Sequence, residues 1–138
     1  MILLDTNVIS ELMRQGCDTR VASWFAQNEA EAALSAIAIA ELAFGIAKLP
    51  EGAKRSALTQ RLSEWRLHFA DRSFSFTANT AILYGEIMAN ARRNGHNMAV
   101  PDAQIAAIAL EQDCPLATRN GKDFATTSLK LVNPWDAR

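Results

Sequence analysis

The chain has 138 residues, of which 49% are hydrophobic and 21% charged, and its formal net charge is -1. These values are typical of one soluble globular domain, expected to span residues 1–138. The near-zero charge excludes whole-molecule attraction to a polyanion, so any contact with nucleic acid must come from a local patch or a bound cation.

Five short apolar segments are bounded by polar or turn residues and predict β-strands. They are Ile2 to Leu4, Ala32 to Leu34, Ser73 to Phe76, Pro115 to Thr118 and Leu129 to Val132. Helix-length segments lie between them, and this alternation predicts an α/β fold with a parallel sheet covered on both faces.

The helical segments are indicated by apolar spacing and by their ends. In segment 53–70 an apolar stripe predicts a surface helix with one buried face, segment 77–94 ends before Gly95, and segment 102–113 is rich in small apolar residues. A further helix follows the second strand, and Pro50 to Gly52 forms the turn after it.

Cysteine usage and the N-terminus favour a cytoplasmic protein. Cys17 and Cys114 are far apart without C-x-x-C spacing, which predicts two reduced thiols. No basic stretch precedes Ile2 to Leu4, and no apolar run approaches the roughly 18 residues that a spanning helix needs, so neither export nor a membrane contact is expected.

Acidic and amide side chains fall where the predicted strands end. Asp5 follows the first strand, Glu41 lies in the helix after the second, Asp102 opens the helix over 102–113, and Asn120 and Asp123 follow the fourth strand. Ligands of open parallel sheets bind at this edge, so these residues are expected to converge there.

Each acid also has a simpler interpretation. Asp5 and Asp102 are both suited to cap a helix N-terminus. Glu41 is the only ionisable residue between Ala36 and Ile46, so it must lie at an edge, be paired, or bind a metal. Together the three acids would repel one another, and a divalent cation bound by oxygen ligands would relieve that repulsion and favour phosphodiester hydrolysis.

Other chemistries find little support in the sequence. His68 and His96 have neither zinc-ligand neighbours nor a serine partner and are expected at the surface. The glycine-rich dinucleotide and nucleoside-triphosphate fingerprints are absent from the sequence.

Five blocks of sequence resemble those of the PIN domains, and within them the VapC and FitB-like toxins of bacterial type II toxin–antitoxin modules. They are I-L-L-D-T-N-V-I-S-E, L-S-A-I-A-I-A-E-L-A-F-G-I, P-D-A-Q-I-A-A-I-A-L, L-A-T-R-N-G-K-D-F and L-V-N-P-W, and they extend from residue 2 to residue 135. The resemblance implies a PIN-like three-layer sandwich around a five-stranded parallel sheet ordered 3-2-1-4-5.

The same resemblance implies a Mg²⁺- or Mn²⁺-dependent ribonuclease. Asp5 and Asp102 look like the principal metal ligands, and Glu41 like a ligand acting through water. Thr6 and Thr118 resemble hydroxyls that hydrogen-bond these carboxylates, although ordinary turn chemistry would also explain both.

The chain departs from the fullest family pattern at Asn120, where many relatives have Asp. A neutral amide would weaken a second metal, and Asp123, three residues on, is either an alternative acid or a turn residue. Asn120 therefore keeps open a catalytically silent PIN module that acts only by binding antitoxin or nucleic acid. A receiver-like domain is disfavoured because Lys122 is poorly placed for it.

The resemblance further implies partners. Toxins of this kind form homodimers and are inhibited by an antitoxin, whose C-terminal segment lies in the toxin groove and whose N-terminal domain binds operator DNA. An arginine of that segment would suit an acidic site. For the RNA substrate, four cations are expected near the rim, unless they are simply solvated: Arg14, Lys48, Arg119 and Lys122.

Overall fold

The computed structural model describes residues 1–136, in which strands alternate with helices. The strands are β1 (Ile2–Leu4), β2 (Ala32–Ser35), β3 (Ser73–Phe74), β4 (Leu116–Ala117) and β5 (Leu131–Val132). The helices are α1 (Thr6–Met13), α2 (Thr19–Asn28), α3 (Ala36–Ala47), α4 (Ala53–His68), α5 (Ala78–Arg93) and α6 (Val100–Glu111). The predicted α/β class is therefore confirmed.

The five strands form one sheet in the order β3-β2-β1-β4-β5, and every neighbouring pair is parallel. The predicted order is confirmed. In the centre of the sheet, Leu3 of β1 pairs with Ala33 on one side and Leu116 on the other. All three residues are fully buried. The first strand is consequently the centre of the sheet, and residue 5 leaves it at the carboxyl edge.

Successive residues of the strands point to opposite faces and so divide the core in two. Leu3 packs in a cluster with α5 and α6 that includes Ile105 and Ile108. Leu4 packs on the other face, in a cluster with α1 to α4 that includes Ile9. The small residues of α6 are almost all buried, because this helix lies between the sheet and α5. The two helical layers fix the carboxyl edge of the sheet between them.

Several bounds differ from those predicted. The last three strands are only two residues each, so Phe76, Pro115 and Leu129 lie outside them. The helix predicted over 102–113 begins at Val100, because a proline is tolerated in a first turn whose N–H groups have no helical partner. Helix α2 was not predicted, although Asp18 caps its N-terminus.

Helix α4 shows that the predicted apolar stripe is only partly covered. Leu58, Leu62 and Trp65 pack against the core from one side, but no residue of the helix is fully buried. Both cysteines are free thiols, as predicted. Within residues 1–136 no helix has the length and apolar character needed to cross a bilayer.

Candidate active site at the carboxyl edge of the sheet

Asp5 follows β1 and is held by hydrogen bonds on both carboxylate oxygens. Its Oδ1 accepts from the backbone N–H of Thr6 at 2.8 Å, and its Oδ2 accepts from the Thr118 hydroxyl at 2.8 Å and from the Asn7 amide at 3.2 Å. Asp5 is therefore the N-cap of α1, as one interpretation predicted. The side chain is buried, and this burial raises the pKa of Asp5 in spite of the three donors.

Asn7 is a site residue that the sequence reasoning missed. Its amide nitrogen donates to Asp5, and its amide oxygen accepts from the backbone N–H of Arg119 at 3.3 Å. It thereby joins the segment after β1 to the segment after β4. The signal that could have found it is an amide two residues after an aspartate at a helix start, a common local hydrogen-bonding pattern.

Glu41 lies on α3, is exposed, and approaches the same edge. Its Oε1 accepts a hydrogen bond from the Thr6 hydroxyl at 2.6 Å. The expectation that Glu41 lies at an edge or is paired is confirmed. Because Thr6 also donates its backbone N–H to Asp5, one residue connects the two acids. The hydroxyl roles expected of Thr6 and Thr118 are both present.

Asp102 lies in the first turn of α6 without capping it. The N-cap is Ala99, so the alternative interpretation of Asp102 as a cap is wrong. The reason is that the helix starts before Pro101 rather than after it. Among the described residues no donor hydrogen-bonds the Asp102 carboxylate. Burial, followed by the negative charges of Asp5, Asp123 and Glu41, raises the pKa of Asp102 to about 6.

The loop after β4 brings the fourth candidate position to the site. The Asn120 backbone N–H donates to the Thr118 hydroxyl at 3.1 Å, and Asn120 itself is exposed. Asp123 lies in the following turn, Gly121–Phe124, and is near enough for its charge to act on Asp102. Both residues predicted as alternatives are therefore close to the edge, and the negative one of them interacts with Asp102.

The carboxylates at this edge offer oxygen ligands to a divalent cation. No three of the described His, Cys, Asp and Glu side chains lie close enough together to form a ready metal site. Two carboxylates nevertheless suffice for Mg²⁺, which keeps several waters. Asp5 and Asp102 interact electrostatically, and the pKa of each carboxyl is raised, which favours the neutral form. A bound cation would instead favour the charged form of both carboxyls. The residues therefore fit Mg²⁺ or Mn²⁺ bound by two carboxylates and water.

The predicted rim cations differ in how they are held. Three of the four are fixed by a neighbouring side chain: Arg14 by Glu11 at 3.2 Å, Lys48 over the Phe44 ring at 5.3 Å, and Arg119 over the Trp135 ring at 5.0 Å. Lys122 is exposed in the turn that contains Asp123. Arg119 is the one beside the carboxylates, because it directly follows Thr118.

The two histidines lie outside the carboxylate cluster. His68 is a surface residue, as predicted, and its Nε2 lies 2.7 Å from Glu29. His96 is half-buried rather than exposed, because its Nε2 hydrogen-bonds the Asp123 carbonyl at 3.0 Å. A carbonyl only accepts, so this nitrogen carries the proton. Neither histidine stands where a zinc ligand or a partner of a serine nucleophile would be needed.

Comparison with known proteins connects this arrangement to one family. The PIN domain family model matches residues 2–129. The toxin FitB of Neisseria gonorrhoeae is 39% identical over 137 residues, covering 98% of this chain and 99% of that one. The VapC ribonuclease Y4jK of Sinorhizobium fredii is 38% identical over 138 residues and covers 99% of each. A solved structure of FitAB bound to an IR36 DNA fragment has a TM-score of 0.92 at 36% identity, covering 100% of this chain and 98% of the other.

Proposed function

Because the chain belongs to the PIN-domain family, we propose that it is a metal-dependent endoribonuclease and the toxin component of a toxin–antitoxin module. The observation that carries this proposal is the electrostatic interaction of Asp102 with Asp5 and Glu41 at one edge of the sheet, which together with burial raises the pKa of Asp102 to about 6. A FitB toxin and a VapC ribonuclease at nearly 40% identity support the same activity.

In the proposed site, Asp5 and Asp102 hold Mg²⁺ or Mn²⁺, and Asn120 offers a neutral oxygen nearby. When bound, the cation supplies charge stabilisation at the phosphate and at the leaving oxygen. Thr118, Thr6 and Asn7 keep the Asp5 oxygens oriented before any ligand arrives. Because these hydrogen bonds form on folding, the entropy cost of ordering the Asp5 carboxylate does not arise again when substrate binds.

Glu41 acts differently, because only one of its oxygens has a hydrogen-bond donor among the described residues. The Thr6 hydroxyl fixes Oε1, which leaves Oε2 free to orient the attacking water and to accept its proton. The exposed position of Glu41 leaves the water a direct approach from solvent. Glu41 is thus the candidate general base, and Thr6 is its positioning residue.

A groove supports the proposed antitoxin contact. It is lined by Met13, Leu42 and Leu58, with Arg14 and Lys54 at its margin, and it reaches Thr6 and Glu41. We assign it to the C-terminal segment of the antitoxin, with an arginine of that segment placed on the carboxylates. Operator DNA would be bound only through the antitoxin, the toxin would act as a homodimer, and the module would work in the cytoplasm.

The decisive experiment compares RNA cleavage by the wild type, Asp102→Asn and Asp71→Asn. Asp71 is exposed and lies before β3, at the opposite edge of the sheet, which makes it a matched control. We expect Mg²⁺-dependent cleavage and growth inhibition in the wild type and in Asp71→Asn, and a loss of at least about 100-fold in Asp102→Asn. Growth inhibition without any RNA cleavage, unchanged in Asp102→Asn, would favour the catalytically silent module instead.

Metal binding has a readout that does not depend on activity. Mg²⁺ at a hundredfold excess over its dissociation constant should stabilise the folded wild type by about 2.7 kcal/mol. The shift in melting temperature should be much smaller for Asp102→Asn and unchanged for Asp71→Asn. If Mg²⁺ and Mn²⁺ leave the wild-type melting temperature unmoved, the proposed metal site is wrong.

A further inference from the structure

A cleft of about 660 Å³ opens between the end of α5 and the loop that leads into α6. None of the residues assigned to catalysis lines it. Its main lining side chains are Met88, Arg92, His96, Asn97 and Met98. We call it the methionine cleft.

The methionine cleft is linked to the proposed active site by one hydrogen bond and by the polypeptide chain. His96, on its wall, donates a hydrogen bond to the carbonyl of Asp123, whose carboxylate acts on Asp102. On its other side, Asn97 and Met98 lead directly into α6, which carries Asp102 in its first turn. The lining of the cleft is therefore connected to Asp102 both through Asp123 and through the start of α6.

The chemistry of the lining suits a nucleotide. Met98 is buried and Met88 is half-buried, so the floor presents thioethers and methylenes that pack against flat rings. Arg92 lies one helical turn after Met88 and so faces the same side of α5. No aspartate or glutamate lines the cleft. Within residues 1–136, the side chains of the exposed Arg92 and Asn97 have no hydrogen-bond or ion-pair partner.

We propose that the methionine cleft binds the nucleotide next to the scissile phosphate of a single-stranded RNA, with the base against Met88 and Met98 and a phosphate on Arg92. The proposal rests on the proposed function, since it takes RNA as the substrate. Unstacked bases of single-stranded RNA are free to enter such a cleft, and a guanidinium fork matches phosphate oxygens. Asn97 is then placed to donate to and accept from the edge of the base.

The test uses two adjacent arginines of α5. Arg92 lines the cleft, whereas its neighbour Arg93 is equally exposed but does not. Binding of a short fluorescent single-stranded RNA is measured by anisotropy in chelator, which prevents cleavage, at several salt concentrations. We expect Arg92→Ala to weaken binding about tenfold and to reduce the salt slope by about 0.7, the value for one lost phosphate contact on a single strand. Arg93→Ala should stay within about twofold of the wild type, as expected of a solvated charge.

A second pair of measurements tests the base. Replacing one base of the same RNA by an abasic nucleotide should weaken binding to the wild type at one position, and should have no further effect in Met88→Ala. Such non-additivity identifies a shared contact. Melting temperatures of both variants establish that they fold.

Three results would overturn the proposal. Equal effects of Arg92→Ala and Arg93→Ala would do so, as would additive losses from the abasic RNA and Met88→Ala. A change of oligomeric state in Arg92→Ala with unchanged RNA binding would assign the cleft to a second copy of the chain. Failure of the ribonuclease proposal is distinguishable, because the wild type would then cleave no RNA in Mg²⁺.

Discussion

Asp5 and Asp102 lie at the same edge of the sheet, yet the protein holds them in opposite ways. Asp5 is buried, caps a helix and accepts three hydrogen bonds from Thr6, Asn7 and Thr118. Asp102 is half-buried in the first turn of α6 and has no donor among the described residues. The difference shows that hydrogen bonds build the Asp5 carboxylate into the fold, whereas the Asp102 carboxylate is left without a donor among the described residues.

Alanine substitutions at Asp5 and at Asp102 should show the largest difference in the free energy of unfolding. In chelator, Asp5→Ala should lower the free energy of unfolding by about 2 kcal/mol, because it removes a cap and leaves the buried Thr118 hydroxyl without its acceptor. Asp102→Ala should leave it unchanged or raise it slightly, because only an unpartnered charge is lost. Urea denaturation measures both, and equal losses would contradict the distinction between the two acids.

The pH dependence of the folding stability further distinguishes Asp102 from Asp5. Burial raises the pKa of Asp102 to about 6 in the folded protein, above its ordinary value near 4. Between about pH 4 and pH 6 the folded state therefore binds more protons than the unfolded chain, and stability falls as the pH rises. In chelator, this fall should amount to about 1 kcal/mol after allowance for solvent screening.

Asp102→Asn should remove that component of the pH dependence. The pKa of Asp5 is also raised, so a smaller slope of the same sign should remain in the variant. Thermal unfolding at pH 4, 5, 6 and 7 in chelator measures both contributions. A slope unchanged by Asp102→Asn would assign the whole effect to other groups.

Two threonines with buried hydroxyl oxygens, Thr118 and Thr126, allow a hydroxyl to be removed with a matched control. The Thr118 hydroxyl donates to Asp5 and accepts from the Asn120 N–H, whereas the buried Thr126 Oγ1 has no hydrogen-bond partner among residues 1–136. Thr118→Val should lower the free energy of unfolding by about 1 kcal/mol, and Thr126→Val should leave it unchanged or raise it. Similar losses in the two variants would mean that the bond to Asp5 contributes nothing specific.

Thr6→Val should have the smallest effect on stability, at most about 0.5 kcal/mol, because its bond to Glu41 is exposed to water. Its effect should appear in catalysis instead. We expect a lower kcat with little change in KM, since Glu41 keeps its charge and loses only its orientation. A change confined to KM would argue against a positioning role for Thr6.

Much of the fold followed from the chain itself. Alternating apolar and helical segments predicted the α/β class. The positions of Asp5 after a strand, of Glu41 in the helix after a strand and of Asp102 at a helix start predicted that the three acids lie at the carboxyl edge of the sheet. The bounds of the helices were harder to predict. The first turn of α6 includes Pro101, which local preference alone placed outside the helix.

Local pattern allowed Asp5 to be a helix cap, but only the family resemblance indicated its hydrogen bond from Thr118. Local pattern could not predict that bond, because the two residues are 113 positions apart. Asn7 and His96 gave only weak local signals for the same reason. Local sequence pattern indicates which element carries a side chain, but the packing of the two helical layers on the sheet determines its contacts.

The hydrogen bond from Thr118 to Asp5 also has a consequence for synthesis on the ribosome. Its two residues are separated by 113 positions, so almost the whole chain must be translated before it can form. Translation proceeds at about 5–20 residues per second, whereas the nascent N-terminal segment samples its local structure far faster. During that interval β1 has no β4 beside it, and Asp5 Oδ2 lacks one of its two donors, the Thr118 hydroxyl. The order of elements along the chain therefore delays assembly of the carboxylate site until translation is nearly complete.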